Sequence, residues 1–242
     1  MIFRLPASPI PETISLRYAK LGRVSFRCSD SLRKCLDSYE QSELAGRAFL
    51  QAKHCGQYIY SRLMLKMMLS GILSIPPSLL SIRTLCNGRP KLFSTGVPMD
   101  AISLSISHDR DRLIVAAGFS CWIGVDVQAV HGVEWPLVNS AMGWTTDIER
   151  YLPEVQSLAH SPVMSQDGLS ALIWAGYEAW LKLSGCSVDG SEFAWSSLVP
   201  VGKHSVTGFQ VYELRLSERT PYNEARVLLM LQSDEAIAVA TL

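Results

Sequence analysis

Two carboxylates, Asp126 and Glu178, could hold a hard cation, and Lys182 follows Glu178 in the same segment. Asp126 closes an apolar segment that is typical of a buried strand, and Glu178 and Lys182 stand one helical turn apart in a segment with helical periodicity. A hard cation such as Mg²⁺ prefers oxygen ligands, commonly one or two carboxylates together with substrate phosphates. Asp126 therefore needs a second carboxylate, and Glu178 is the candidate.

Each of these residues also has an ordinary structural interpretation. Glu178 and Lys182 have the favourable orientation of a surface ion pair on any exposed helix, and an Asp at the end of a strand is often a turn residue. On the metal-site interpretation, Gln128 points to the same side of the strand as Asp126, and neither carboxylate belongs to the core. Trp174 shares the helix row of Glu178 and Lys182, while the predicted buried side consists of Leu169, Leu172, Ile173 and Trp180.

The elements that would position these residues alternate between helix and strand. Apolar spacing predicts helix over Glu40–Gly71, with a break near Gly56. Alternation predicts a strand at Ile102–Ile106 and an antiparallel hairpin formed by Leu113–Gly118 and Trp122–Val127. Further along, we expect a helix over residues 169–184, capped by Asp167 and ended by Gly185, and then a β-meander over residues 209–216, 226–232 and 236–242.

Composition restricts the class of protein. The chain has 242 residues, of which 48% are hydrophobic, and its formal net charge is +0. We expect no signal peptide, because the first residues hold no apolar core of the needed length, and no apolar stretch reaches membrane-spanning length. The 6 cysteines are widely spaced, which favours reduced thiols in the cytoplasm. We expect a cytoplasmic monomer that does not bind a membrane.

The charge is unevenly distributed. Residues 1–66 hold 11 Lys or Arg against 5 Asp or Glu, whereas the whole chain holds 22 of each. This basic segment either steers a polyanion such as a nucleotide or an acidic protein, or is a solvated surface. Nucleic acid is not expected as a partner, because the chain as a whole is neutral and carries no recognised binding module. The clustered basic residues are Arg17, Lys20, Arg23, Arg27, Arg33 and Lys34.

Four motifs in order resemble those of the 4'-phosphopantetheinyl transferase superfamily, Sfp type. The family's Gly-x-Asp-x-Glu strand resembles Gly124–Gln128, and its Trp-x-x-Lys-Glu-x-x-x-Lys helix resembles Trp174–Lys182. Its Gly-Lys-Pro turn resembles Gly88–Pro90, and its Asn-x-Ser-His strand resembles Ser105–His108. The resemblance covers roughly residues 45–195.

The chain departs from these motifs at several positions. Gln128 replaces Glu, Tyr177 replaces Lys, Arg89 replaces Lys and Ser105 replaces Asn. The segment Phe49–Lys66 resembles the helix that lines the nucleotide in the family. Within it, Gln57 stands where the resemblance implies a phosphate-binding Arg. In the family, the Lys at the position of Tyr177 places a cation beside the phosphates of coenzyme A, whereas Tyr177 offers only a hydroxyl.

The resemblance implies an α+β fold of two pseudo-symmetric halves, residues 1–121 and 122–242, with coenzyme A in the cleft between them. It implies transfer of phosphopantetheine from coenzyme A to a serine of an acyl or peptidyl carrier protein, with release of adenosine 3',5'-bisphosphate. The first half would contact coenzyme A phosphates, and the second would hold the metal. The pathway would be the biosynthesis of a fatty acid, a polyketide or a nonribosomal peptide.

The resemblance also implies a role for each matching residue. Asp126, Gln128 and Glu178 would bind Mg²⁺ on the pyrophosphate, and Glu178 would accept the proton of the serine, directly or through water. Lys182 would act as a catalytic residue and bind the bridging phosphates. Coenzyme A would also be bound by Arg89, Ser107 and His108.

Two alternatives remain on the sequence alone. Gln128 and Tyr177 are also typical of a degenerate relative that binds coenzyme A or a carrier protein without catalysis. A structural protein unrelated to the family is the other alternative, because short motifs also occur by chance.

Overall fold

The structure, a computed structural model, describes residues 2–3, 13–21, 30–46, 52–150, 164–185, 193–203 and 209–242. Within these residues the chain is a mixed α and β protein with three sheets, in agreement with the predicted α+β class. It forms two compact units, Met1–Ile123 and Gly124–Leu242.

The first unit combines two antiparallel sheets with helices. One sheet has the strand order β1-β2-β7-β6 and the other has the order β3-β4-β5. The elements are β1 (Ile2–Phe3), β2 (Ile14–Lys20), α1 (Asp30–Arg33), α2 (Ser38–Gly46), α3 (Ala52–Leu73), β3 (Leu80–Thr84), β4 (Pro90–Ser94), β5 (Val97–Pro98), β6 (Ile102–Asp109) and β7 (Arg112–Phe119).

The long helix α3 supplies much of the core of this unit. Leu65 and Leu69 on α3 are fully buried and belong to the same apolar cluster as Leu113 and Val115 on β7. The predicted break near Gly56 is wrong, because Gly56 lies inside α3; residues 47–51, which precede the helix, lie outside the described residues. Among the helices of the described residues, none has the length and hydropathy needed to cross a bilayer.

A buried ion pair joins α2 to α3. The ammonium of Lys66 contacts the Glu40 carboxylate, and both side chains are almost fully buried. Glu40 also accepts a hydrogen bond from the backbone N–H of Ile82 on β3, at 2.9 Å. The pair is therefore satisfied within the fold and ties two helices to a sheet.

The predicted hairpin between residues 113–118 and 122–127 is wrong in its pairing. Both strands exist, but β7 is bordered by β2 on one side and by β6 on the other, so it has no edge left. β6 and β7 form the actual hairpin, with Asp109 opposite Arg112. The strand that contains Asp126 belongs to a different sheet.

The second unit is a five-stranded sheet with the strand order β8-β12-β11-β10-β9 and helices packed on it. The last strands form the predicted antiparallel meander, which is confirmed. The elements are β8 (Ile123–Ala129), α4 (Trp135–Met142), α5 (described over 145–150), α6 (Gln166–Ser184), β9 (Trp195–Lys203), β10 (Gln210–Leu216), β11 (Arg226–Leu231) and β12 (Glu235–Thr241).

Helix α6 lies on β11 and β12 of this sheet. Its Leu169, Leu172 and Ile173 are fully buried in the main apolar cluster of the unit, together with Val227 and Leu229 of β11. At about 25 cal/mol per Å² of apolar surface, this burial is the principal term that holds α6 in place.

Candidate functional site

Helix α6 presents one half-exposed row of side chains. Trp174, Glu178 and Lys182 are the half-exposed residues at four-residue spacing, whereas Leu169, Leu172, Ile173 and Trp180 are buried, so the predicted division of the helix is confirmed. Ser165 caps the N-terminus by accepting a hydrogen bond from the backbone N–H of Gly168, so the predicted cap at Asp167 is wrong. Gly185 ends the helix in the left-handed conformation, as predicted.

Strand β8 brings Asp126 to this helix because Gly124 lets the two backbones approach closely. A Cβ built on Gly124 would lie 1.9 Å from the carbonyl oxygen of Ala179 on α6 and 2.7 Å from the backbone nitrogen of Leu183. Only a residue without a side chain fits there. The contact places Asp126, two residues further along β8, beside the last turn of α6.

Asp126 and Glu178 converge on the same ammonium group. The Nζ of Lys182 lies 2.6 Å from Oδ1 of Asp126, to which it donates a hydrogen bond, and 3.7 Å from Oε2 of Glu178. The Asp126 side chain is 5% exposed, whereas those of Glu178 and Lys182 are 31% and 30% exposed. Asp126 is thus part of the buried interior, contrary to the prediction, while Glu178 remains open to solvent.

The electrostatics of the cluster act on the pKa of Glu178. Burial raises the pKa of the Glu178 carboxyl, the charge of Asp126 raises it further, and Lys182 opposes both effects. The two carboxylates therefore interact at short range.

Gln128 lies two residues beyond Asp126 on β8, so the side chains of both leave the same face of the strand. Gln128 is half-buried. The structure thus brings Asp126, Glu178 and Lys182 into contact and places Gln128 on the same strand face.

The residues present fit a Mg²⁺ ion. Asp126 and Glu178 are hard oxygen donors, and the ammonium of Lys182 occupies a position where the two carboxylates share a cation. Among the described residues, no three side chains of the His, Cys, Asp and Glu types converge on one point. A cation here would therefore have two carboxylates and would take its other ligands from the Gln128 amide, water or phosphate.

Tyr177 does not face this site. It is fully buried in an aromatic cluster, with ring centroids 5.1 Å from Phe193 and 5.5 Å from Trp144. Trp174 and Trp180 complete the cluster. The expectation that position 177 lies beside the phosphates is therefore wrong for this chain, because the side chain at this position belongs to the core.

The predicted phosphate contacts of the first unit lie in the turn between β3 and β4 and on β6. Arg89 follows Gly88, which adopts a φ of +82°, and its guanidinium carbon lies 5.3 Å from the ring centroid of Trp122. Ser107 is buried and His108 is exposed near the end of β6, where His108 pairs with Leu113.

Gln57 is a core residue rather than a surface contact. Its side chain is buried, and its amide donates a hydrogen bond to the backbone carbonyl of Arg110 at 2.9 Å. The side chain at this position therefore belongs to the core of the first unit.

Two features of these surroundings are not evident from the sequence. Trp122, whose side chain is one of the exposed large apolar groups at 56%, lies beside Arg89. Lys182 is closer to Asp126, at 2.6 Å, than to Glu178, at 3.7 Å. The helical spacing in the sequence predicts only the contact between Lys182 and Glu178. A contact between residues 56 positions apart leaves no local pattern.

No protein-family model matches this chain, and no curated protein is significantly similar to it.

Proposed function

We propose that this protein transfers the phosphopantetheine group of coenzyme A to a serine hydroxyl of an acyl or peptidyl carrier protein, with Mg²⁺ as cofactor. One observation carries the proposal. The Asp of the Gly-x-Asp strand and the Glu and Lys of the Trp-x-x-x-Glu-x-x-x-Lys helix meet at a single point, with Lys182 Nζ 2.6 Å from Asp126 Oδ1 and 3.7 Å from Glu178 Oε2.

Asp126 and Glu178 would hold the cation, with the Gln128 amide on the same strand face as a third oxygen donor. When bound, Mg²⁺ neutralises the charge that builds on the pyrophosphate as the bond to the leaving group breaks. Asp126 is fixed by the close contact of Gly124 with α6, so it is the preorganised member of the pair.

Glu178 is the group suited to accept the proton of the serine. It is partly exposed, so a carrier serine or a water can reach it, and its raised pKa makes it a stronger base than an ordinary surface carboxylate. The serine oxygen forms a bond to the phosphorus of the phosphopantetheinyl phosphate. The bond from that phosphorus to the oxygen of adenosine 3',5'-bisphosphate breaks, and Lys182 stabilises the charge on the departing phosphate.

In the first unit, Arg89, Ser107 and His108 are proposed to bind coenzyme A phosphates. A guanidinium can grip a phosphate through two parallel hydrogen bonds, and His108 is exposed at its strand end. Arg89 lies near Trp122.

The two units are proposed to be the pseudo-symmetric halves of the phosphopantetheinyl transferase fold. Each has an antiparallel sheet and one long helix packed on it, α3 in the first and α6 in the second. This shared arrangement supports the proposal.

A second candidate function is binding of coenzyme A or of a carrier protein without catalysis. It is favoured by the contact of Lys182 with Asp126, because a lysine that neutralises this carboxylate permanently would keep a metal out. The two candidates differ in one measurable property, namely whether the carrier protein is modified.

The test is to incubate the protein with coenzyme A, Mg²⁺ and several apo carrier proteins and to weigh the carriers by mass spectrometry. Transfer adds one phosphopantetheinyl group to a carrier. Binding of coenzyme A by calorimetry without any gain in carrier mass would support the second candidate. Absence of both would exclude both.

A further inference from the structure

We propose that Lys182 is the resident counter-ion of the Asp126–Glu178 pair and must leave it before a divalent metal binds, so that the metal enters together with the phosphates that accept the lysine. The inference rests on the proposed function in one respect, since it takes Asp126 and Glu178 as the metal ligands. It adds that Lys182 keeps a free metal ion out of the site until a phosphate ligand is present.

The geometry makes the lysine and the metal competitors. The ammonium of Lys182 donates to Asp126 Oδ1 at 2.6 Å and lies 3.7 Å from Glu178 Oε2. A Mg²⁺ ion coordinates oxygen at about 2.1 Å, and it would use the same inward carboxylate oxygens. The ammonium and a metal ion at these oxygens would repel each other, so each would weaken the binding of the other.

The ammonium has a clear role when no metal is bound. Asp126 is nearly buried, so its charge is poorly solvated, and the second carboxylate of Glu178 stands beside it. Removing Lys182 would take away the ammonium that both carboxylates contact. The lysine therefore stabilises the metal-free protein.

The lysine side chain is the part of the cluster that can move. Lys182 is 30% exposed and lies two residues before the end of α6, so its flexible stem can turn the ammonium toward solvent or a bound phosphate. Asp126 is fixed, because Gly124 holds β8 against α6. Displacement of the lysine therefore requires no movement of the backbone.

Exclusion of free metal has a thermodynamic consequence. A ligand that carries a pyrophosphate offers the displaced ammonium a new partner, so it lowers the cost of metal binding. By reciprocity, the metal increases the affinity for that ligand by the same factor. The metal and the phosphate ligand therefore bind cooperatively in the wild type, and removal of the lysine charge weakens this coupling.

The experiment measures binding of free Mn²⁺, without any phosphate ligand, by electron paramagnetic resonance. Wild type, Lys182→Met and the matched control Lys91→Met are compared; Lys91 also pairs with an aspartate, Asp100, at 2.7 Å, but on the surface. We expect Lys182→Met to bind Mn²⁺ at least about tenfold more tightly than wild type and the control to bind like wild type. The gain should disappear in the double variant Lys182→Met, Asp126→Asn.

Thermal melting provides a second measurement. In chelator, Lys182→Met should melt below wild type, and Mn²⁺ should raise its melting temperature more than that of wild type. If Lys182→Met does not fold, Lys182→Gln replaces it, because it also removes the charge and keeps a polar stem.

Equal Mn²⁺ affinity of wild type and Lys182→Met would overturn the proposal, as would a gain that persists without Asp126. The result of this metal-binding test can be separated from the result of the carrier-modification test of the proposed function. A wild type that modifies carriers while Lys182→Met binds Mn²⁺ no more tightly refutes only the counter-ion role. An Asp126-dependent gain in a protein that modifies no carrier supports the counter-ion role and refutes the transfer.

Discussion

Gly124 on β8 lies so close to Ala179 on α6 that a Cβ at position 124 would stand 1.9 Å from the Ala179 carbonyl oxygen. This contact between a strand and a helix sets the position of Asp126 relative to Lys182. The glycine of the Gly-x-Asp sequence therefore has a packing role, and the carboxylate two residues later depends on it.

Gly124→Ala is expected to destabilise the protein by about 3 kcal/mol or more, because the neighbouring atoms belong to the helix backbone and cannot give way cheaply. Unfolding in urea measures the change. Gly71→Ala is the control, since a Cβ there meets no atom within 4 Å in an exposed part of α3, and it should be neutral or slightly stabilising. Equal effects of the two substitutions would contradict the packing role.

Tyr177→Lys is expected to destabilise the protein by about 3–5 kcal/mol, because it removes a ring from the aromatic cluster and buries a charge. Tyr177→Phe, which keeps the ring, should cost less than about 1.5 kcal/mol. Chemical denaturation of both variants measures this. A stable Tyr177→Lys protein that binds coenzyme A more tightly would show instead that the position faces the ligand.

Much of the local structure could be predicted from the sequence. The buried and half-exposed faces of α6 follow from helical spacing, and the three last strands follow from alternation of apolar residues. Gly185 ends its helix because it tolerates the left-handed conformation. These features depend on residues close in sequence.

The features that could not be predicted depend on distant residues. The hairpin assigned to β7 and β8 was wrong, because both edges of β7 are taken by β2 and β6. The contact of Lys182 with Asp126 likewise depends on the packing of β8 against α6, which no local pattern signals. Tyr177 lies four residues after Ile173 and three before Trp180, so helical spacing places it on the buried side. The family motif, which has Lys at this position, suggested instead that it faces the ligand.

Stability should depend on pH through Glu178. Its folded-state pKa is raised above the ordinary value of 4.5, so the folded protein holds the proton more tightly than the unfolded chain and loses stability as pH rises through that window. Glu178→Gln removes this loss. The free energy of unfolding of the variant, relative to wild type, should therefore increase above pH 4.5 and level off once Glu178 is ionised.

Urea unfolding across this pH range tests the expectation. Glu218→Gln, at an exposed position, is the matched control for the loss of a surface carboxylate. A Glu178→Gln difference that falls with increasing pH would show that Lys182 outweighs burial and Asp126.

Coenzyme A should raise the melting temperature more than dephospho-coenzyme A does, because Arg89 and His108 are proposed to bind phosphate. Arg89→Gln should reduce this difference, whereas Arg215→Gln, at an exposed position on β10, should not. Differential scanning fluorimetry measures both. Equal protection of the wild type by the two ligands would remove the reason for assigning Arg89 to the extra phosphate.

The most direct measurement is the mass of apo carrier proteins after incubation with coenzyme A, Mg²⁺ and four proteins: wild type, Asp126→Asn, Glu178→Gln and the surface control Asp100→Asn. We predict that a carrier gains one phosphopantetheinyl group with wild type and with Asp100→Asn. The rate should fall at least about 100-fold in the other two, because they lack a metal ligand or the base. No mass gain with wild type, or undiminished transfer by folded Asp126→Asn, would contradict the proposed transferase site.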